Sequence, residues 1–563
     1  MSEKYDAIVI GSGAAGGAVA YQLCQAGFSV ALLEKGRLVR REEFSKDELA
    51  YCRRDILTPS LYDEYHTIEE LVDGEWRETP TCDSGWSFWN GSLVGGSSNL
   101  MSGMFHRMHP DDFRLLSRYG PVKGANIVDW PISYSDMEPY YTMAETLIGI
   151  SGKAQKHPWE PPRSTPEFPQ PPTDENQLVK LFDKSCNALG MTPLTTPRAL
   201  LSREKGDRHA CYYSNFCGSY GCSSGAKGSS REALIRPALA TGNLTLMTHT
   251  FVKRLSSTKE RVTFVETVDT LTGKERRLHA RIFIVAAQAH ESVRLLFNSA
   301  NRHFPDGLGN SSGELGKNLI FSAGGSGQGV LRKESLKMIS FEALMQRGRF
   351  VNRSVLEWYA IRDPESRREI KGGLVEFMFE HQNNISRAAK ARYSGGRLQW
   401  GREFGKTLKE TFTEGKSIRF EIFNDWLPTD NCFAAVDGKR KDKYGVPVGK
   451  LRIQAHPHDL KVASLIAKKS EKILGEMGAE EIYSSISPLP PQNLIAGGCR
   501  FGDDPKHSIL NRNCQSHDLS NLFVADAAFM PTGGSTPYTW TIYANALRVA
   551  DYIISELKRG CFA

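Results

Sequence analysis

The sequence contains no apolar run long enough to cross a bilayer as a helix. It begins Met-Ser-Glu-Lys-Tyr-Asp and passes straight into a strand pattern, so no signal peptide is expected and the chain reads as cytoplasmic. Its eleven cysteines are odd in number and mostly far apart, which argues against a disulfide framework. No Cys-x-x-Cys pair occurs, so a zinc ribbon and a thioredoxin-type redox motif are both excluded. No recognised nucleic-acid motif accompanies the basic residues.

What is present is a 563-residue chain, 24% charged and 40% hydrophobic, with ample core and length for two or more lobes. The net charge of +7 is local. Nine basic residues between Arg387 and Arg419 face three acids, Glu403, Glu410 and Glu414. Trp400, Phe404, Leu408 and Phe412 add an apolar stripe at spacing four. The segment reads as a solvated helix pair, or as a docking face for an acidic partner or an anionic membrane surface.

The N-terminus carries a complete phosphate-cradling unit. A short strand over 6–10 leads into Gly11-Ser-Gly13-Ala14-Ala15-Gly16, then a helix to about Gln25, then a strand over 30–33 ending at Glu34. The glycines permit a tight turn and close backbone approach, and the helix N-terminus faces a pyrophosphate. Glu34 is placed to accept from a ribose 2′-hydroxyl. Val94-Gly95-Gly96-Ser97-Ser98-Asn99 is a small-residue loop that lets backbone approach a flat ring. Near the C-terminus a hydrophobic strand ends at Asp526, and a Gly/Thr/Pro turn leads into a helical pattern from about Trp540 to Leu557.

These stretches, with Glu34-Lys35-Gly36, residues 282–292 and residues 521–526, resemble the glucose–methanol–choline (GMC) flavoprotein oxidoreductases. The resemblance implies an α/β chain: a Rossmann-like FAD-binding lobe and a substrate lobe built on an antiparallel sheet. It divides the chain into FAD-binding parts at 1–120, 205–325 and 491–563, with substrate-lobe parts at 121–204 and 326–490. It places Val252 against the adenine and Asp526, Ala527 and the last helix along the flavin. Strand compositions at 350–361, 374–380 and 417–424 suit the substrate sheet. Seven prolines between 157 and 173 make an extended strap between lobes.

Cys211, Cys217 and Cys222 lie in one Gly/Ser/aromatic loop at x5 and x4 spacing. Three thiolates converging from a compact loop suit an iron–sulfur cluster, with buried or zinc-bound cysteines as the alternative. The stretch is similar to the cysteine loop of bacterial sugar and sugar-acid dehydrogenases of the same superfamily, which implies a [3Fe-4S] cluster. Ser214 departs from a pattern in which many relatives have a further Cys. A four-iron cluster needs another ligand, for which Cys82, Cys186 and Cys499 are open. A cluster favours a dehydrogenase over an oxidase, with a cytochrome or similar carrier as acceptor. The resemblance also implies a small subunit carrying an export signal, and hence a periplasmic location.

The family's catalytic His falls on Leu494, and its His or Asn partner falls on Pro537. Neither can take the hydroxyl proton that accompanies hydride removal. Tyr538, Asn493, Thr536 and the histidines His381, His456 and His458 are the candidates left. The resemblance implies oxidation of a carbohydrate, glycoside or polyol hydroxyl by hydride transfer to the flavin, and the two replaced positions stand against it. Its alternatives are flavin chemistry on an activated substrate and a non-catalytic electron-transfer or scaffold subunit.

Overall fold

The structure is a computed structural model that describes residues 4–562, apart from 46, 49–56, 59, 85, 87–90, 215, 219, 323, 337–339, 341, 343–349, 380–382, 395 and 491–493. Asn493 and His381 lie outside the described residues.

Lys4–Ile10 sits between Val30–Leu33 and Glu275–Val285, parallel to both. Leu244–Met247 extends this sheet on one side, and Leu522–Val524 pairs with the end of Glu275–Val285. Ala7, Ile8, Val9 and Val30–Leu33 are buried on both faces, which is why these strands read as unbroken apolar runs rather than alternating ones. An antiparallel pair, Thr250–Ser257 and Val262–Asp269, completes the layer. Helix Ala14–Gln25 packs against the final helix, Thr539–Lys558, so the two ends of the chain close on one another.

The second lobe is a six-stranded antiparallel sheet in the order Glu480–Ile486, Gly325–Arg332, Gly415–Asn424, Gly373–Phe379, Phe350–Val355, Leu194–Thr195. Helices Leu178–Ala188 and Pro457–Glu476 cover its back, burying Phe182, Phe377, Phe420, Ile466 and Ile473. The expected strand at 350–361 ends at Val355; the chain turns and forms a separate short hairpin with Ala360–Arg362. A third sheet, absent from the sequence reading, joins Phe433–Lys441, Pro447–Ile453, Thr67–Val72 and Glu75–Pro80. It links chain segments assigned to different lobes, and its short, charge-rich strands carry little apolar periodicity.

The proline strap is held by buried charge. Arg107 donates to Glu145 on helix Tyr134–Ile148, and Arg163 from the strap donates to the same carboxylate at 2.9 Å. Arg107 and Glu145 are both buried. Removing one member of such a group leaves an uncompensated charge in the interior. Glu145→Gln is therefore expected to lower stability by roughly 3 kcal/mol and to release the strap. A lower thermal midpoint and faster limited proteolysis within 157–173 check this.

Candidate active site

A cavity of about 660 Å³ runs from the glycine loop to the substrate sheet. That is the size range of a site for a large organic ligand. Gly11, Gly13, Ala14, Ala15, Glu34, Lys35, Gly96, Ser98, Val252, Asp526 and Ala527 all line it. Gly16, Gly95 and Asn99 do not; they hold its walls. A Cβ on Gly16 would sit 1.8 Å from the Gly11 carbonyl oxygen, and Asn99 donates to the carbonyls of Val94 and Gly96. A Cβ on Gly13, by contrast, would meet no protein atom, as a cradle for a close-lying ligand requires.

The Glu34 carboxylate is buried and accepts from Ser12 Oγ at 2.5 Å, from Ser12 N at 3.2 Å and from Gly36 N at 2.8 Å. Burial raises its pKa, and these bonds oppose the rise. At the far end of the cavity the Asp526 carboxyl accepts from Ser292 Oγ at 2.5 Å, Gln288 N at 2.9 Å and Ala528 N at 3.0 Å. Burial pushes it up to about 6. Thr539 and Ile542 bring the N-terminus of the final helix to the wall.

One group among the described residues approaches as the ligands of a single ion do: His66, His290 and Glu291, at the end of the cavity near Lys35. His66 Nδ1 accepts the Gly449 N–H at 3.2 Å, so its proton sits on Nε2 and points at Glu291 Oε1, 2.9 Å away. That nitrogen is a donor to carboxylate, and the group is a hydrogen-bonded support for the cavity wall.

Cys211, Cys217 and Cys222 are each partly buried. The Cys211 thiol is pushed up to about 12, chiefly by burial and further by the charges of Cys217 and Cys222. The three do not close to the spacing of one ion's ligands. The buried Arg198 guanidinium lies beside Cys217 and Cys211 and donates to Ser102 O at 2.6 Å, on the cavity wall. The buried Lys227 ammonium bridges Tyr220 O in the cysteine loop and Asn99 O beneath the cavity. Gly218 itself lines the cavity. Cys186 and Cys499 are packed in hydrophobic cores.

Leu494 lines the cavity with a positive φ of 58° and packs among Met104, Tyr359, Leu374, Met378 and Phe423. Thr536 and Tyr538 are fully buried and are not part of the cavity wall. They lie behind the 531–535 turn, with the Tyr538 hydroxyl pushed upward by burial and by Asp425. His456 caps helix Pro457–Glu476, accepting from His458 N.

The sequence reading missed the polar floor of the cavity. Arg419, Glu421 and Phe423 alternate along Gly415–Asn424 and face it, with Ser326 and Ser485 beside Glu421 in register. Glu376 stands directly across from Glu421 on the neighbouring strand. Glu376 is buried, bonded to His106 Nε2, and accepts from Thr196 Oγ1 at 2.8 Å. Two carboxylates at one cross-strand position repel, so their pairing needs the compensation that His106 and Thr196 provide. The only sequence signal was Glu alternating with apolar residues in two separate strands.

Two GMC oxidoreductase profiles match the chain, at residues 5–321 and 428–546. The chain belongs to the GMC oxidoreductase family. It is an FAD-dependent oxidoreductase acting on CH–OH donors. The segment between the two matches, 322–427, holds most of the substrate sheet. The GMC chain is 28% identical to a 2-methyl-1,2-propanediol dehydrogenase of Mycolicibacterium austroafricanum, over 98% of this chain and 95% of that one. It is 27% identical to the fructose dehydrogenase large subunit of Gluconobacter japonicus, over 99% and 98%. It is 28% identical to the paromamine 6′-oxidase of Streptomyces fradiae, over 98% and 92%. Among solved structures it is similar in fold to a pyridoxine 4-oxidase of Mesorbium loti, with a TM-score of 0.61 at 17% identity, covering 98% of this chain and 99% of that one.

Behind the 531–535 turn, the Asp425 carboxyl is pushed up to about 6; burial is the largest cause, Lys371 opposes it and Asp112 adds to it. Its folded pKa lies above the unfolded value, so its contribution to stability is full below the unfolded value near 3.8 and is lost as pH rises through about 6. Asp425→Asn, which stays neutral, is expected to flatten the fall in thermal midpoint between pH 4 and pH 7, a fall of roughly 3 kcal/mol for this group.

Proposed function

We propose that this chain is a dehydrogenase that oxidises a hydroxyl of a carbohydrate, glycoside or polyol and passes electrons through an iron–sulfur cluster to an external acceptor. The observation that carries the reading is the junction of three parts at one cavity: the FAD cradle, the polar sheet floor and the cysteine loop through Gly218, Arg198 and Lys227. The relatives' names, a diol dehydrogenase, a sugar dehydrogenase subunit and an aminosugar oxidase, agree with a polyhydroxylated substrate.

Bound FAD supplies the hydride acceptor, and a [3Fe-4S] cluster on Cys211, Cys217 and Cys222 would supply single-electron passage. The cofactor would lie on Gly13 and Gly96, with Glu34 toward its ribose and Asp526 and the final helix toward its ring. Three partly buried thiols in one loop, wider apart than the ligands of a single ion, suit a multi-iron group better than zinc.

The proton is the harder problem, because Leu494 replaces the usual base and sits among apolar side chains. Glu421 takes that role in our reading. It faces the cavity two residues from Phe423, which packs in the same cluster as Leu494. Glu376 stands directly across from it on the neighbouring strand, and two carboxylates at one cross-strand position repel. Arg419, Ser326 and Ser485 would orient the substrate's other hydroxyls.

Anaerobic mixing with sugars, glycosides, sugar acids and polyols is expected to bleach the flavin absorbance with one class. Glu421→Gln is expected to keep full FAD content and slow that bleaching about 100-fold. Unchanged bleaching in the variant would sink the assignment of the base. Iron and sulfide analysis is expected to show iron lost in Cys217→Ala; zinc in the wild-type protein would sink the cluster. If dithionite reduces the flavin but no panel member does, the alcohol dehydrogenase reading fails in favour of an activated substrate.

A further inference from the structure

Residues 384–414 leave the substrate sheet between two adjacent strands, Gly373–Phe379 and Gly415–Asn424, and return to it. They form helix Asn384–Ala391, a two-residue hairpin of Tyr393–Ser394 with Arg397–Leu398, and helix Gly401–Lys409. Neither helix has a single buried residue. The expected stripe is divided: Phe404, Leu408 and Phe412 are half-buried, and Arg387 lies over the Phe412 ring at 4.6 Å. Trp400 is separate from them, ahead of the helix and 81% exposed. Tyr393, Leu398 and Ile385 are 57%, 57% and 51% exposed.

The charges on this excursion are unevenly matched. Glu410 and Glu414 pair with Lys406 and Lys409 inside it. Lys390, Arg392, Arg397 and Arg402 are exposed, and none has an ion pair among the described residues. Four exposed bases are thus interspersed with four exposed apolar side chains. The excursion is anchored beside the cysteine loop. Tyr220 donates to Asn383, and Glu48 accepts from the amides of Ile385 and Ser386 at 2.9 and 2.8 Å.

We propose that this excursion seats the protein on an anionic lipid surface. Arginine and lysine meet the headgroups, and Trp400, Leu398, Tyr393 and Ile385 enter the interface. A protein partner would want a contiguous, packed apolar centre with charge at its rim. Here the apolar side chains are single and interleaved with bases, which suits a fluid surface able to accommodate each in turn. The cysteine loop would then lie close to the membrane. The proposal needs neither turnover nor iron, so it stands or falls apart from the function proposed above.

The test is flotation of the FAD-loaded full chain with phosphatidylcholine vesicles, with and without phosphatidylglycerol. Binding is expected only when phosphatidylglycerol is present, and is expected to fall with added salt. Each exposed base contributes about fivefold to partitioning, so the charge-reversed pair R397E/R402E is expected to bind more than tenfold more weakly with unchanged FAD absorbance. Trp400→Ser is expected to weaken binding severalfold without changing its salt dependence. No partitioning onto phosphatidylglycerol vesicles, or equal partitioning by R397E/R402E, overturns the proposal. Binding of an acidic cytochrome at this face without any vesicle binding overturns it as well.

Discussion

The structure depends on one buried carboxylate. Glu34 sits at the end of its strand and draws the glycine loop onto itself through both the hydroxyl and the amide of Ser12. Ser12 Oγ in turn accepts from Gly95 N, and Ser12 O accepts from Ser230 Oγ. Ser98 Oγ then accepts from Ser230 N. Segments near residues 12, 34, 95 and 230 are thereby fixed to one another within a few hydrogen bonds. An ionised group in the interior is tolerated only when its lone pairs are used. Here the same bonds that satisfy Glu34 also set the mouth of the cavity. The acid that a sequence motif offers for ribose recognition is thus also the keystone of the walls.

The same economy recurs at the cysteine loop. The buried Lys227 ammonium donates to the carbonyls of Asn99 and Tyr220. A buried ammonium that bridges two loops fixes their separation, because losing either bond leaves charge without solvation. Arg198 does similar work between Ser102 and the cysteines. A buried cation thus ties the cysteine loop to the floor of the cavity. Arg198 opposes, without overcoming, the rise that burial imposes on the Cys211 thiol.

Local signals made the first lobe legible in the sequence. The strand, glycine turn, helix and acid are contiguous, and the final helix, Thr539–Lys558, differs from the periodicity reading by one residue at each end. The third sheet was not legible, since Thr67–Val72 finds its partner near residue 450 and no local pattern reports such a pairing. The cavity floor was hidden for the same reason. Glu376 and Glu421 become neighbours only through strand register, and His106 reaches Glu376 from 270 residues away. Leu494 and Pro537, by contrast, were visible as departures because they occupy motif positions. Tyr538 and Thr536 looked suitable by proximity in sequence to those positions, yet both are fully buried and neither lines the cavity.

A missing base need not mean a missing reaction. What hydride removal requires is a proton acceptor whose charged form is not too stable, and that property belongs to an environment rather than to a residue type. A carboxylate in water is a poor acceptor for a hydroxyl proton. One that faces a second carboxylate across a strand pair is a better one, because taking up a proton relieves the repulsion. With Glu421 as the proposed proton acceptor, position 494 is free to pack as an apolar residue, which is how Leu494 is found.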